Sequence, residues 1–409
     1  MTGTEVLTGR VSDRNGSWLA EQLRLLGVDV GQIIVVGDRP DDLRSALEFL
    51  ATGNDLLLTT GGLGPTADDL TADVVAQFQG RPARLDPELE QRITAIVERL
   101  SRRFGGLRNP ESTAIATRKQ AMVPAGASVI EPTGTAPGLV VPVAEGRTGP
   151  PVIVLPGPPW ELQRMWPAAV EVPAVRAVLA GASELRQRTL RLWGVPESEL
   201  AATLRRVDHE LTGLELTTCL GGGELEIVSR YAPSAEAAQQ RLVAAVRADF
   251  PDQLFSDGPT VDELIVTALK DRRWTAAVAE AATGGGLCAR LAGAPLLGGL
   301  VGHTESALIT VIGVPADLIT GYGPVSPQVA GAMAEGARTV FGADVGIAIT
   351  ALSTQAESLG TVHLSVVTPD GEFARSLPGI GTATELQRER ATPLVLHLLR
   401  QALTGQPPS

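Results

Sequence analysis

A glycine-rich segment, Leu56 to Thr71, most strongly constrains what this chain can fold into. It opens with a short apolar run, which is typical of a strand buried on both faces of a parallel sheet, and it leads into a run with helical spacing from Leu70 to Phe78. The glycines therefore lie in a loop at the carboxyl end of a strand. Because open α/β sheets bind ligands at this edge, the segment predicts an α/β fold with a binding site in the loop.

The residue types of this loop favour an anionic ligand. Gly61, Gly62 and Gly64 have no Cβ to keep a backbone N–H away from an anion, and the amino end of the next helix adds partial positive charge. The hydroxyl groups of Thr60 and Thr66 can donate further hydrogen bonds. The loop is therefore a candidate phosphate site.

Two adjacent carboxylates, Asp68 and Asp69, follow the glycines. They cannot bind a phosphate directly at neutral pH, so they suggest a bridging divalent metal ion such as Mg²⁺ or Mn²⁺. The alternative is a tight turn in which one of the two carboxylates caps the helix. A simple turn does not need three glycines, a proline and several threonines, which favours the binding site.

The same string resembles the competence/damage-inducible protein A (CinA) family. Further motifs extend the resemblance over nearly all of the chain: Gly3 to Gly9, Asp13 to Asn15, Arg118 to Pro124, Gly134 to Gly138 and Leu155 to Pro159. The resemblance implies a MoaB-like, molybdopterin-binding-type α/β domain of three layers at residues 1–170. It also implies a small α+β, KH-like domain at 175–256 and an α/β amidase-like domain at 260–404. The middle domain is interpreted as a spacer or dimerisation module, so a homodimer is expected.

Composition narrows the possible partners. The formal net charge of −12 and the pI near 5.0 argue against a general nucleic-acid binder, because affinity for phosphate backbones comes from clustered Lys and Arg. No signal peptide and no apolar run near 18 residues is found, so membrane insertion is not expected. Cys219 and Cys288 lie far apart and are predicted to be buried thiols in a reducing cytoplasm.

The amino-terminal end is unusual for the family that the chain resembles, in which the Gly3 to Gly9 motif follows the first core strand. Here that motif follows Met1 almost directly. Either the true start lies upstream of Met1, which we favour, or the domain folds without this strand. A sheet without it would expose an apolar groove or an unpaired neighbour. The next strand is predicted at Ile33 to Val36.

For the first domain the resemblance implies metal-dependent hydrolysis of the pyrophosphate bond in ADP-ribose or an NAD-type dinucleotide. Asp68 and Asp69 would hold the metal ion, and Glu5, Asp13 and Asn15 would lie across the pocket as ligands or as a base. The expected substrate contacts are Thr60, Gly61, Gly62, Gly64, Thr66, Lys119, Gly134, Thr135 and Gly157. Where the family usually carries Asn, Glu131 adds negative charge near the expected pocket.

The third domain resembles nicotinamide-nucleotide amidases, in which a Glu-Ser-Cys-Thr-Gly-Gly loop carries the serine that attacks the amide. Glu280, Thr283 and Gly284 match this loop, but Ala281 stands in place of the serine. A methyl group cannot act as a nucleophile. Leu308 stands where the family carries its activating lysine, and Thr350 is the one match in a later loop of the family. We therefore expect the fold to be kept and the amidase activity to be lost.

Other functions stay open on this evidence. The chain could be a dimeric scaffold that binds a nucleotide or a pterin without catalysis. It could also keep residual deamidase activity on nicotinamide mononucleotide, or handle a pterin in the manner of MoaB.

Overall fold

The structure, a computed structural model, describes residues 1–102, 109–182, 184–221, 223–354, 359–378 and 384–405, with side chains from residue 390 in the last of these ranges. It divides into two compact units, Met1–Leu185 and Arg186–Ser409, and each is considered by itself. No helix among the described residues is long and apolar enough to cross a membrane.

The first unit contains eight described helices and six described strands. The helices are α1 Thr4–Leu7, α2 Asn15–Leu25, α3 Pro40–Ala51, α4 Thr71–Phe78, α5 Pro87–Arg102, α6 Pro110–Gln120, α7 Pro159–Val170 and α8 Pro173–Leu179. The strands are β1 Leu57–Thr60, β2 Ala83–Leu85, β3 Met122–Pro124, β4 Ser128–Ile130, β5 Gly138–Val141 and β6 Val152–Leu155. The main sheet has the order β1-β6-β5-β4, with β1 and β6 parallel and the other pairs antiparallel.

Helices cover both faces of this sheet, because strand side chains alternate between the faces and those of the central strands are apolar. In β6, Val152 and Val154 face a core formed with α3, α4 and α5. Ile153 and Leu155 face a second core formed with α2 and α7. The unit therefore has the three-layer α/β architecture that the sequence predicts.

The predicted strand from Ile33 to Val36 is not formed, and that prediction is wrong. Of these residues, only Val36 makes a bridge, which is parallel and pairs with Thr2. The N–H of Val36 donates to the carbonyl of Met1 at 2.9 Å, and the N–H of Thr2 donates to the carbonyl of Thr60 at 2.9 Å. A strand needs a partner along its length, and here only Met1 and Thr2 lie between this segment and β1.

A groove with many apolar residues lies beside β1. Its volume is about 570 Å³, and its lining includes Leu19, Leu23, Ile33, Leu58 and Leu179. The side chain of Ile33 is 52% exposed there. The backbone of Met1 and Thr2 enters one end of this groove as the end of a parallel strand would.

We predict that an engineered chain with four apolar residues, Val-Val-Ile-Val, added before Met1 is more stable than the present one. The added residues would pair with β1 and bury side chains worth roughly 1.5–3 kcal/mol each when fully covered. The expected rise in Tm is on the order of 5 °C by scanning calorimetry. An added Gly-Ser-Asp-Ser segment of the same length is the control, and equal Tm values for the two chains would contradict the prediction.

The second unit contains two sheets. Its helices are α9 Glu197–Val207, α10 Glu236–Asp249, α11 Val261–Arg272, α12 Gly286–Arg290, α13 Glu305–Ala307, α14 Ala316–Tyr322, α15 Pro327–Phe341 and α16 Thr384–Thr404. Its strands are β7 Arg186–Trp193, β8 Leu214–Gly221, β9 Glu224–Tyr231, β10 Leu254–Asp257, β11 Ala276–Glu280, β12 Leu296–Val301, β13 Val345–Ile349, β14 Val362–Thr368 and β15 Gly371–Leu377. The sheet orders are β10-β7-β9-β8 and β12-β11-β13-β14-β15.

The two cysteines differ in exposure, so the prediction that both are buried is wrong for Cys219. Cys219 is exposed because it lies on β8, an edge strand of its sheet whose residues are largely exposed. Cys288 is half-buried, and burial together with the nearby Glu280 carboxylate raises the pKa of its thiol to about 12. Cys288 is therefore held as the unreactive thiol form at neutral pH.

A buried histidine of α16 contacts the sheet β10-β7-β9-β8 of the second unit. The Nε2 atom of His397 lies 2.9 Å from Oε1 of Glu224, and its ring stacks on Trp193 with a centroid distance of 3.9 Å. The side chain of His397 is 1% exposed. Burial lowers the pKa of His397, an effect that Glu224 opposes and that Arg400 and Arg290 reinforce.

We predict that the stability of the chain falls as the pH drops below about 6.5, the pKa of an unperturbed histidine. Since the folded state keeps His397 neutral, the unfolded chain takes up the proton first, and protonation then favours unfolding. Urea midpoints at pH 7.5 and pH 5.5 measure the effect. His397→Gln should reduce this dependence, whereas the control His209→Gln, at an exposed histidine, should keep it. Equal pH dependence in wild type and His397→Gln would contradict the assignment.

Candidate functional site

The carboxyl end of β1 opens into a polar pocket of about 610 Å³ in the first unit. The pocket is bounded by the glycine loop after β1, the amino-terminal segment, the start of α2 and the loop before α7. Eleven of the predicted site residues line it: Glu5, Asp13, Asn15, Thr60, Gly61, Gly62, Gly64, Asp68, Asp69, Thr135 and Gly157. Residues that are far apart in sequence thus meet at the sheet edge where the loop pattern predicts a site.

Thr2 fixes the glycine loop. Its N–H and Oγ1 both donate to the carbonyl of Thr60, at 2.9 and 3.0 Å, and its Oγ1 lies 3.3 Å from Oγ1 of Thr71. A Cβ at Gly61 would lie 2.3 Å from the Thr2 carbonyl oxygen, and one at Gly62 would lie 2.2 Å from Oγ1 of Thr71. Both glycines also have positive φ, 94° and 65°. The first two glycines are therefore required by the packing of the loop itself.

The two adjacent carboxylates share one donor residue. Oδ2 of Asp69 accepts from the N–H and Oγ1 of Thr66, at 2.9 and 2.6 Å, and Oδ1 of Asp68 accepts from the same hydroxyl. The hydrogen bond from Thr66 holds the pKa of Asp68 below its usual value. The two carboxylates thus close a turn on Thr66, but neither caps α4, which has no side-chain cap, and both aspartates line the pocket.

Some predicted contacts lie elsewhere. Lys119 donates from Nζ to the carbonyl of Thr66 and lines a separate cavity of about 50 Å³, so it supports the loop from outside the pocket. Thr66 itself is an exposed residue whose hydroxyl is used by the two aspartates. Glu131 is also outside the pocket lining, because it is exposed and pairs with Arg92 at 3.4 Å. Glu131, expected to add negative charge near the pocket, is therefore not part of the pocket wall.

A buried acid that sequence reasoning missed, Glu161, lines the pocket from the first turn of α7. Its carboxylate accepts the N–H of Gly134, and burial raises its pKa. A Cβ at Gly134 would lie 2.5 Å from this carboxylate, which explains the glycine there. The signal in the sequence was an acid four residues after Gly157, just past the rim loop.

Asn15 is held in place by the loop before α7. Its Nδ2 donates to the carbonyl of Gly157 at 2.7 Å, and its own N–H donates to Oδ1 of Asp13 at 2.9 Å. Asn15 is 6% exposed, yet its Oδ1 has no hydrogen-bond partner among the described residues. A buried acceptor without a partner is uncommon in folded proteins, and this one is covered by the surrounding protein.

Glu280 holds the loop of the second unit that resembles the amidase loop. Glu280 is fully buried, and its carboxylate accepts from the hydroxyl of Thr283 and from the N–H groups of Leu287 and Cys288, both at 3.1 Å. Gly284 has a positive φ of 56°. The Glu280 side chain is therefore engaged in holding the loop and the start of α12.

The side chains where the resemblance places nucleophile and lysine are apolar and buried. Ala281 is 5% exposed and donates its N–H to the carbonyl of Ile349 at 3.1 Å. Leu308 is 6% exposed and packs in an apolar core on one face of the sheet. Oγ1 of Thr350 accepts from the N–H of His363 and donates to the carbonyl of Ala351. Ala281 thus lies next to the strand end that carries Thr350, and the side chains of Ala281 and Leu308 offer neither a nucleophile nor a base.

We predict that Gly61→Ala destabilises the protein more than Gly53→Ala. The two glycines have similar φ values, 94° and 98°, so backbone strain of about 1–3 kcal/mol is common to both substitutions. Only Gly61 has an atom, the Thr2 carbonyl oxygen, where the new methyl group would lie; at Gly53 the space is open. Urea denaturation should give a difference of at least about 1 kcal/mol. Equal losses would show that Thr2 does not constrain the loop.

Family models match the amino-terminal and the carboxyl-terminal parts of the chain. Residues 1–177 match the family described as "Probable molybdopterin binding domain", and residues 259–403 match the "CinA C-terminal domain". A CinA-like protein of Mycobacterium sp. (strain JLS) is 48% identical over 424 residues, covering 98% of this chain and 97% of the relative. A CinA-like protein of Mycobacterium tuberculosis (strain ATCC 25177 / H37Ra) is 45% identical over 427 residues, covering 100% and 97%.

Among solved structures, the protein CinA from Thermoplasma acidophilum is 30% identical, covers 42% of this chain and 94% of its own, and has a TM-score of 0.35. The two family models and the curated relatives confirm the resemblance carried by the glycine loop and its companion motifs. The chain belongs to the CinA-like protein family, with a molybdopterin-binding-type domain at its amino end and a CinA C-terminal domain.

Proposed function

We propose that the first unit is a metal-dependent hydrolase that cleaves the pyrophosphate bond of ADP-ribose or an NAD-type dinucleotide. One observation carries the proposal: the pocket at the end of β1 places a glycine loop beside two carboxylates. This combination suits a phosphate together with a divalent cation.

The glycine loop has backbone N–H groups that can donate hydrogen bonds to a ligand. No hydrogen bond within the described residues uses the N–H of Gly62 or Gly64. In a chain with a net charge of −12, such local donors are the groups that can hold an anion, and Arg14 is the basic side chain in the pocket lining. Donors fixed in position before the reaction also stabilise charge that develops on a phosphoryl group.

The acidic lining makes a cation necessary. The carboxylates of Glu5, Asp13, Asp38, Asp68, Asp69 and Glu161 line the pocket. Their summed charge would repel a pyrophosphate. No cluster of three or more metal-ligating side chains occurs among the described residues. Mg²⁺ is commonly held by one or two carboxylates together with substrate phosphates, so Asp68 and Asp69 fit an ion that arrives with the substrate.

A divalent ion held by Asp68 and Asp69 would neutralise phosphoryl charge and orient water. The N–H groups of Gly62 and Gly64 hold the phosphate. The exposed carboxylate of Glu5, which also lines the pocket, takes the proton of the attacking water.

We further propose that the amidase-like domain has lost its catalytic activity. The proposal rests on Ala281 and Leu308, two buried apolar side chains where a serine and a lysine would act. A nucleophile and its activator work as a unit, so the absence of both leaves little catalysis. The domain would then serve as a structural part of the protein.

A second candidate function is ligand binding without hydrolysis. The observation in its favour is that Asp68 and Asp69 are both already hydrogen-bonded to Thr66. A nucleotide or pterin would then stabilise the protein against heat without being converted. Detection of AMP as a product decides between the two candidates.

We predict that Asp69→Asn lowers AMP release from ADP-ribose at saturating Mg²⁺ by at least about 100-fold, because removal of a carboxylate weakens the hold on the ion. The asparagine oxygen can still accept from Thr66, so the Tm should change by less than about 3 °C. Asp41→Asn, an exposed carboxylate in α3, is the charge-matched control and should keep full activity. Unchanged activity of Asp69→Asn would exclude this ion site.

We predict that the full-length protein releases no ammonia from nicotinamide mononucleotide, because neither Ala281 nor Leu308 can form or activate a nucleophile. A coupled glutamate dehydrogenase assay measures the ammonia. An active relative with serine and lysine at these two positions serves as the positive control. Ammonia release above the no-enzyme rate would show that another side chain supplies the nucleophile.

A further inference from the structure

Strand β8 forms an exposed edge of the sheet β10-β7-β9-β8 in the second unit. Edge strands that stay single usually carry several charges, a proline or a bulge, which prevent pairing with another chain. β8 has one charged residue, Glu215, no proline, and an unbroken eight-residue register with β9. The strand at the opposite edge, β10, is only four residues long and ends at Asp257, which forms an ion pair with Arg188. β8 is therefore the edge of this sheet that is open to an added strand.

The hydrogen bonds of the sheet show which backbone groups of β9 point to β8. In an antiparallel sheet, the N–H and C=O groups of successive residues point alternately to the two neighbouring strands. The N–H of Trp193 on β7 donates to the carbonyl of Gln253, just before β10, at 2.9 Å, so it points away from β9. Leu192 therefore bonds to β9, where the register places Leu225 opposite it. Because Leu225 bonds to β7, the adjacent Glu224 bonds to β8.

The same alternation divides the residues of β8 into two sets. The register places Gly221 opposite Glu224, so the odd-numbered residues of β8 bond to β9. The even-numbered residues turn their N–H and C=O groups to the open edge, and the last three of them are Leu216, Thr218 and Leu220. The N–H of Leu214, the first even-numbered residue, agrees with this direction, because it donates outside the sheet to the carbonyl of Leu211 at 3.0 Å.

The three outward residues match those of a second copy of the strand. When two β8 strands run antiparallel with Thr218 opposite Thr218, Leu216 of each copy lies opposite Leu220 of the other. Each of these three pairs can exchange two backbone hydrogen bonds, so every outward N–H and C=O of the three residues has a partner. A register centred on residue 217 would need the N–H of Leu214, which is already used.

The side chains favour the same register. Leu216 packs at the margin of the core that α9 and α10 form on one face of the sheet. Leu220 lies on this face too, because Leu225, its partner on β9, is buried there, yet Leu220 is 55% exposed. In the paired strands Leu216 of one copy covers Leu220 of the other. Glu215 lies opposite Gly221, so no like charges meet across the pair.

We propose that β8 is a dimer interface, at which it pairs with β8 of a second copy of this chain in the antiparallel register centred on Thr218. The two four-stranded sheets then form one sheet of eight strands. The occupant of the edge is a second copy because the strand matches itself in its backbone donors and acceptors and in its two leucines. This inference does not depend on the activity of the first unit.

The first test is a cross-link that reports the register. Thr217 of one copy lies opposite Cys219 of the other as a pair without hydrogen bonds, with Cα atoms about 4.5 Å apart, which is within disulfide range. Thr217→Cys should therefore give a disulfide-linked dimer of the full chain under mild oxidation, seen on a non-reducing gel. The wild type and Thr217→Cys combined with Cys219→Ser are the controls, and both should stay unlinked.

The second test removes the central hydrogen bonds of the pair. Thr218→Pro has no N–H to donate, and a proline is tolerated on an edge strand where the lost N–H faces outward. Sedimentation equilibrium should show a dimer dissociation constant at least about tenfold higher than that of the wild type. Thr218→Val, which keeps the N–H, should dimerise like the wild type.

Each contrary outcome overturns a defined part of the proposal. A wild-type chain that stays monomeric at every concentration measured overturns the interface and leaves the edge to a strand from another protein. An unchanged dimer in a folded Thr218→Pro protein overturns strand pairing as its basis. A cross-link in the wild type, or in the variant without Cys219, overturns the register. The cross-link still decides the matter if Thr218→Pro does not fold, which its Tm shows.

Discussion

The candidate site depends on the backbone and hydroxyl group of Thr2. This residue lies between the chain at Val36 and the end of β1, and it donates twice to the carbonyl of Thr60. Its carbonyl oxygen occupies the space that a side chain at residue 61 would need, and its hydroxyl meets Thr71 at the start of α4. The turn that brings the N–H groups of the glycine loop to the pocket is thus set by a residue almost sixty positions earlier. The loop sequence and the amino-terminal segment have to be understood together.

Local patterns were sufficient to predict much of the architecture. The apolar strand before the glycines and the buried strand β6 carry their own signal, because both faces of a central strand are covered. The segment Ile33 to Val36 carries the same apolar signal but forms no strand. Whether this segment forms a strand depends on how much neighbouring backbone can pair with it. Its own sequence does not contain that information. Cys219 is a comparable case, since exposure on an edge strand is a property of the sheet.

The site residues that a motif places on the sheet edge were predictable from the sequence. Residues whose role depends on the direction of their side chain were less predictable. Lys119 is close to the loop but supports it from outside, and Glu131 is used in a surface ion pair. Glu161 was missed because one acid at the start of a helix is common, and its burial beside Gly134 is visible only in three dimensions. The assignments of metal ion, homodimer and cytoplasmic location stay predictions.

The central claim is that the glycine loop binds a phosphate together with a divalent cation inside an acidic pocket. Calorimetric titration of the full chain with AMP, with Mg²⁺ and then with EDTA, tests this most directly. The account predicts binding that requires Mg²⁺ and weakens in the Asp69→Asn protein, because the ion offsets the carboxylates that otherwise repel the phosphate. Equal affinity with and without Mg²⁺, or no loss in that variant, would contradict it.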